Sequence, residues 1–156
     1  AVENGITNGT SETTFSPNDT VERGQTVTFL WRLAGNPDVQ AGNPFLDVPS
    51  GEYYTSAVLW AVVNGITNGK SANSFAPYDP CTRAQVVTFL YRFEGEPKVE
   101  GVANPFTDVA EDAYYYKAVL WAVAKGVTAG TSADTFSPAN TCTRGQIVTF
   151  LFRDIA

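Results

Sequence analysis

The sequence predicts a mainly α chain: tandem helix–loop–helix repeats packed as a pseudo-threefold, with short extended pairings in the loops. Three observations carry this. Arg-[Ala/Gly]-Gln recurs at Arg23-Gly24-Gln25, Arg83-Ala84-Gln85 and Arg144-Gly145-Gln146, with spacings of 60 and 61 residues. Each copy opens the same apolar run, TVTFLWR, VVTFLYR and then IVTFLFR. A unit of about 50 structured residues is marginal for folding alone, so copies gathered round a common axis bury what one cannot.

The unit is complete from Phe45 to Arg92 and again from Phe106 to Arg153, at a constant offset of 61. Residues 1–33 hold only the second half of a first copy. A linker at 34–44, the second copy at 45–93, a linker at 94–105 and the third copy at 106–156 follow. The one-residue difference in offset falls in the second linker, where insertions are absorbed. Ala1 to Gly9 matches Ala61 to Gly69, and Trp60 and Trp121 precede the matching alanines of the later copies. The chain therefore starts inside a repeat and reads as a piece of something longer.

The first element of each unit is a helix of about three turns: Tyr54, Ala57, Val58, Ala61 and Val62 follow the i, i+3, i+4 stripe. Asn64-Gly65 ends it, and Lys125-Gly126 does the same in the third copy, with glycine suited to a left-handed C′ position. The second helix begins after Thr82. Thr82-x-x-Gln85 and Thr143-x-x-Gln146 are capping boxes, and Glu22 stands in for Thr in copy one. Val86, Phe89, Leu90 and Phe93 form its apolar stripe. Between the helices lies a loop of about 15 residues, long for such a connection and regular between copies, which points to a functional loop. Phe75 and Pro77 tie it to the core, with a short extended pairing expected around Ile66 and Phe75.

Composition narrows the function. Ten Lys and Arg against sixteen Asp and Glu give a net charge of −6, which disfavours nucleic acid. No run of about 18 apolar residues crosses a membrane. No histidine is present, so there is no Ser–His or Cys–His pair and no HExxH zinc site. Glu94, Glu96 and Glu100 lie in a linker, which does not hold the fixed separation of a glycosidase pair. No enzyme, cofactor or metal is expected. Cys81 and Cys142 fit neither a zinc knuckle nor a CxxC pair; two free, partly buried thiols are favoured over a disulfide, since equivalent positions meet only if they line a shared axis.

Phe-x-Asp-Val, Tyr-Tyr-x-x-Ala-Val-x-Trp-Ala, Gly-[Ile/Val]-Thr, Phe-x-Pro and Thr-Arg-Ala-Gln, in this order and spacing, resemble the S-layer homology (SLH) module. The resemblance covers nearly the whole chain. It implies helix–loop–helix modules in a pseudo-threefold that attach surface proteins non-covalently to secondary cell-wall polymers of Gram-positive bacteria. It also implies that the recognised sugar often carries a pyruvate ketal, held in inter-module grooves that contain the motif arginine. The family's Glu after Arg-Ala is Gln here in every copy, which keeps the capping box and removes a negative charge beside each arginine. A groove built partly from the first helix of copy one would be incomplete.

Two readings stand for the candidate residues. Arg23, Arg83 and Arg144 are either solvated helix starts or carboxylate sites; a cation at a helix N-terminus is mildly unfavourable, by about 0.3–1 kcal/mol, so its repetition asks for a ligand. Arg32, Arg92 and Arg153 sit at helix C-termini, where the dipole suits them. Asp47 and Asp108 cap or orient the first helix, or contact ligand. Trp60 and Trp121 are core, or stack on sugar. Ser11, Ser71 and Ser132, with Gly69 and Gly130, build turns or meet a glycan, and Lys70 would make one groove differ. The functional expectation is binding of an anionic wall polysaccharide by an extracellular module of the cell wall or S-layer. The alternative is a protein–protein adhesion or assembly patch, for example toward a host protein, using exposed aromatics such as Tyr78 and Tyr116.

Overall fold

A computed structural model describes residues 1–156. It contains five helices and no sheet: α1 (Arg23–Leu33), α2 (Thr55–Val63), α3 (Arg83–Phe93), α4 (Tyr116–Ala124) and α5 (Arg144–Ile155). α1, α3 and α5 are the second helices of the three copies; α2 and α4 are the first helices of copies two and three. The capping boxes form as the sequence dictates: Thr82 Oγ1 accepts from Gln85 N–H at 3.2 Å, and Gln85 Oε1 accepts from Thr82 N–H at 3.1 Å. In copy one Gln85's counterpart Gln25 still accepts from Glu22 N–H, at 3.3 Å. Gly65 and Gly126, with φ of 70° and 77°, take the left-handed step that ends α2 and α4.

The pseudo-threefold closes through backbone. Val21, Cys81 and Cys142 occupy equivalent positions just before each capping box. Cys81 N–H donates to Val21 C=O, Cys142 N–H to Cys81 C=O, and Val21 N–H to Cys142 C=O, at 2.8, 2.8 and 2.9 Å. This ring brings the two cysteines together at the axis, yet both remain free and buried. Copies also pair at Thr20 with Thr143, Glu22 with Pro80 and Thr82 with Thr141. The pairing expected around Ile66 and Phe75 does not form. Ile66 N–H is taken by Ala61 C=O and Phe75 N–H by the Asp47 carboxylate, and the pairing within this loop is Ser71 with Ser74.

The covalent repeat is not the packing unit. α2 packs on α1 and α4 on α3, so each helical pair joins the second helix of one copy to the first helix of the next. Trp121 of α4 meets Tyr91 of α3 with ring centroids 5.7 Å apart. α5 has no such partner helix, and its Phe152 is 70% exposed where the equivalent Tyr91 is 8% exposed. Squeezed between the axis and its neighbours, α3 is buried well beyond its predicted stripe: Val87 and Thr88 are buried too.

Candidate functional site

Each motif arginine leaves its own copy and enters the next. Arg23 Nε donates to Phe75 C=O at 2.9 Å, Arg83 Nε to Phe136 C=O at 2.9 Å, and Arg144 Nε to Phe15 C=O at 2.9 Å. Each guanidinium lies between two rings of that next copy: Phe75 and Phe89 for Arg23, Phe136 and Phe150 for Arg83, Phe15 and Phe29 for Arg144, at 4.8–5.6 Å. Carbon atom Cζ over a ring at this distance is a cation–π contact. All three arginines are buried, and burial is the main force pulling their pKa values down from the ordinary guanidinium range.

The first-turn amides beside each arginine are already taken by protein acceptors. Arg23 N–H donates to Asp79 C=O at 3.0 Å and Gly24 N–H to Pro77 C=O at 2.8 Å, and the same bonds recur at Arg83 and Ala84 and at Arg144 and Gly145. The helix starts dock onto the next copy's Phe-x-Pro loop and have no amide to spare. Room for a ligand lies beyond the guanidinium.

Three grooves result, one at each boundary between copies. The first holds Arg23, Gly69, Lys70, Gln85, Arg92 and Tyr114 around a cavity of about 320 Å³. The second holds Arg144, Gly9, Thr10, Gln25, Arg32 and Tyr53 around about 400 Å³. The third holds Arg83, Gly130, Gln146, Thr149 and Arg153 around about 700 Å³; no tyrosine borders it. Each groove thus draws an arginine from one copy and a Gly-containing loop plus a helix face from the next. The first two add a tyrosine from the start of α4 or α2.

The second arginine of each groove was not foreseen as a site residue. Arg32, Arg92 and Arg153 each donate Nη1 to a loop carbonyl, of Ile6, Ile66 and Val127, at 3.2–3.3 Å, and line the same cavities as the motif arginines. Their helix-end position suits the dipole, but the 60- and 61-residue recurrence that singled out the first set applies to them equally.

The grooves differ in how far the motif arginine is satisfied. Arg144 Nη1 reaches Gln25 Oε1 at 3.4 Å and its Nη2 reaches Thr7 Oγ1 at 3.5 Å. Arg83 Nη2 is buried without any partner. Lys70 pairs with Asp79 at the first groove, and the other grooves have Thr10 and Thr131 at its position.

Other candidates lie elsewhere. Trp60 and Trp121 are core residues, packed on Phe93 and Tyr91, and neither lines a groove. Asp47 and Asp108 neither cap a helix nor face a groove; they clamp the Phe-x-Pro loop. Asp47 accepts from Ser74 Oγ–H at 2.7 Å, Phe75 N–H at 2.9 Å and Ala76 N–H at 2.8 Å. Asp108 accepts from Phe136 N–H and Ser137 N–H, both at 2.8 Å. Ser11, Ser71 and Ser132 bond within their own turns, to Thr14, Asn73 and Thr135 respectively. Gly69 and Gly130 do line grooves. Their φ values of 83° and 86° are left-handed, and a Cβ on Gly69 would stand 2.5 Å from the Phe45 ring. Of the tyrosine trio, Tyr114 is the exposed member, at 64%, and Tyr116 is half-buried.

The family model described as the S-layer homology domain matches residues 1–27, 44–87 and 105–148. The chain belongs to the S-layer homology domain family. An amylopullulanase of Thermoanaerobacterium thermosulfurigenes is 28% identical over 152 residues, 94% of this chain and 8% of that protein. The surface-layer 125 kDa protein of Lysinibacillus sphaericus is 31% identical over 137 residues, 85% of this chain and 11% of its own length. An S-layer protein of Bacillus thuringiensis subsp. finitimus is 24% identical over 152 residues, 96% of this chain and 18% of its own. The chain thus spans less than a fifth of each of these curated relatives. As an S-layer homology unit it is an extracellular, non-catalytic anchoring module of the Gram-positive type of cell surface.

Proposed function

We propose that the module anchors its parent protein by binding an acidic cell-wall polysaccharide in the inter-copy grooves, with a ketal or uronate carboxylate taken by the arginines. The observation that carries this is the meeting of two guanidinium groups in each groove of a chain with net charge −6. A buried motif arginine beside a second arginine, half-buried at Arg32 and Arg92 and exposed at Arg153, favours an anion in the cavity, and a carboxylate is the anion whose geometry matches the guanidinium fork. The unpartnered Arg83 Nη2 supports the same reading, because a buried donor left without an acceptor costs about 1–3 kcal/mol. Gln25, Gln85 and Gln146 and the loop glycines would meet sugar hydroxyls beside the acid. Several weak sites on one polymeric ligand reinforce each other through effective concentration.

Replacing all three motif arginines by alanine does not test this cleanly, because each also staples two copies together. The better experiment leaves the protein intact. Purified wall polysaccharide is immobilised before and after mild acid removal of its ketal groups, and binding is measured over a salt series. Strong binding to the native polymer, weakened by salt and lost after ketal removal, is the expected result. Equal binding to both polymers overturns the carboxylate reading. The adhesion alternative retains Tyr78, which is exposed, whereas Tyr116 belongs to a cavity wall; it would give binding indifferent to ketal removal and to salt.

A further inference from the structure

The first groove does not end at Tyr114. A second cavity of about 230 Å³ shares Thr88, Arg92 and Tyr114 with it and continues along the α3–α4 seam to Glu111, Tyr116 and Lys117. A third, shallower cavity of about 350 Å³ shares Tyr91, Glu96 and Lys117 with the second and runs out over the linker at Lys98 and Glu100. The three form one track leading away from Arg23. Tyr114 stands at the junction, its ring held edge-on by Tyr115 at 5.0 Å and 85° and otherwise exposed. At the corresponding positions of α2 the chain has Thr55 and Ser56 in place of Tyr116 and Lys117, side chains too short to build this wall.

The charge along the track changes character. At the Arg23 end, Arg23, Arg92 and Lys70 outnumber the single carboxylate of Asp79. In the second cavity Lys117 and Arg92 are balanced by Glu96 and Glu111, and Glu96 lies 3.9 Å from Arg92 Nε. A second anion would meet two carboxylates there. An uncharged ring carrying hydroxyl or acetamido groups would find donors, acceptors and the tyrosine faces that sugar rings stack against.

We propose that this cavity is a second subsite of the Arg23 groove, which binds the uncharged sugar residue next to the acidic one in the same polymer. The proposal rests on the carboxylate reading of the groove and adds a direction and a specificity to it. Only the Arg23 groove would read two consecutive residues; the Tyr53 and Arg83 grooves would read the acidic residue alone.

The test uses isothermal titration of the intact chain with two probes. One is a methyl hexosaminide bearing a pyruvate ketal; the other is the disaccharide in which that residue is linked to a neutral N-acetylhexosamine. The disaccharide is expected to fill one site per chain about tenfold more tightly than the monosaccharide, the worth of one or two extra hydrogen bonds. Lys117→Glu and Tyr116→Ala are expected to remove that gain while the monosaccharide affinity stays the same. Lys117 is an exposed side chain, so its substitution keeps the test valid if Tyr116→Ala unfolds. Equal affinity for the two probes, or a gain that survives Lys117→Glu, overturns the second subsite and leaves the groove reading standing. Failure of the monosaccharide to bind at all overturns both.

Discussion

Arg83 Nε donates to the carbonyl of Phe136, fifty-three positions away and in the next copy, at 2.9 Å. The same guanidinium covers the Phe136 ring, keeps its Nη2 buried without a partner, and borders the largest of the three grooves. One side chain therefore joins two copies and lines a groove, and its stapling role separates experimentally from the proposed binding role.

Arg83→Ala removes a charged hydrogen bond and two ring contacts, and is expected to cost about 3 kcal/mol. For a chain of this size that is a fall in midpoint of roughly 5–10 °C in thermal melts followed by circular dichroism. Arg83→Lys keeps the charge without the fork, so it should melt between the two and still lose carboxylate binding. An Arg83→Ala melt unchanged within a degree would show that the staple carries no weight.

Asp47 gives an acid-sensitive clamp. Burial alone would raise its pKa, but bonds from Phe75 N–H, Ser74 Oγ–H and Ala76 N–H outweigh this and hold the carboxyl below its ordinary value. A depressed carboxyl pKa contributes stability that is present above the unfolded value, near 3.9, and is lost as pH falls through the folded value. Ala76, between Phe75 and a proline, sits at φ 57°, and the carboxylate on its amide helps hold that strained turn. Asp47→Asn should cost about 1–3 kcal/mol at pH 7 and flatten the loss of stability below pH 4. Denaturant melts at pH 7 and pH 3 check this; a mutant as acid-sensitive as the parent would refute it.

The axial thiols should be inert while the chain is folded. Burial pushes Cys81 up to about 11 and Cys142 up to about 12. At pH 8 a disulfide reagent should titrate no thiol in the native protein and two after denaturation. Copy one already carries Val21 in the same ring, so Cys81→Val should shift stability by less than about 1.5 kcal/mol. Rapid native labelling would mean that the axis opens.

Trp121 separates core from ligand roles. It is buried against Tyr91 between α4 and α3, so Trp121→Ala should lose about 3–5 kcal/mol. Trp121→Phe should be milder and leave polysaccharide affinity unchanged, measured by the same immobilised-polymer assay. A loss of affinity in a folded Trp121→Phe protein would return this residue to the ligand set.

Much of this was legible in residue order. Thr82, Gln85, Asn64 and Gly65 mark helix ends through backbone chemistry that acts within a few residues, and those ends appear where the marks stand. The recurrence of Arg23, Arg83 and Arg144 flagged the boundary residues of the grooves. What it did not reveal was the direction of the side chains. Nothing local says that Arg23 crosses to Phe75, that Asp47 reaches Ala76 rather than its own helix, or that Arg92 turns back to Ile66 and so lines the same cavity. Tyr114, Tyr115 and Tyr116 are adjacent in sequence, and only the packing of α4 on α3 decides which is exposed.

The sequence by itself determined the helices, their caps, the repeat and the family, because capping, apolar stripes and turn glycines are short-range effects written in adjacent residues. Tertiary structure alone decided which copy each residue serves. Closing Val21, Cys81 and Cys142 into a ring turns every boundary between copies into an interface, so the second helix of one copy packs on the first helix of the next. The grooves exist only at those boundaries, assembled from residues distant in the chain, and their unequal widths follow from whether a first helix stands beside them to contribute its tyrosine.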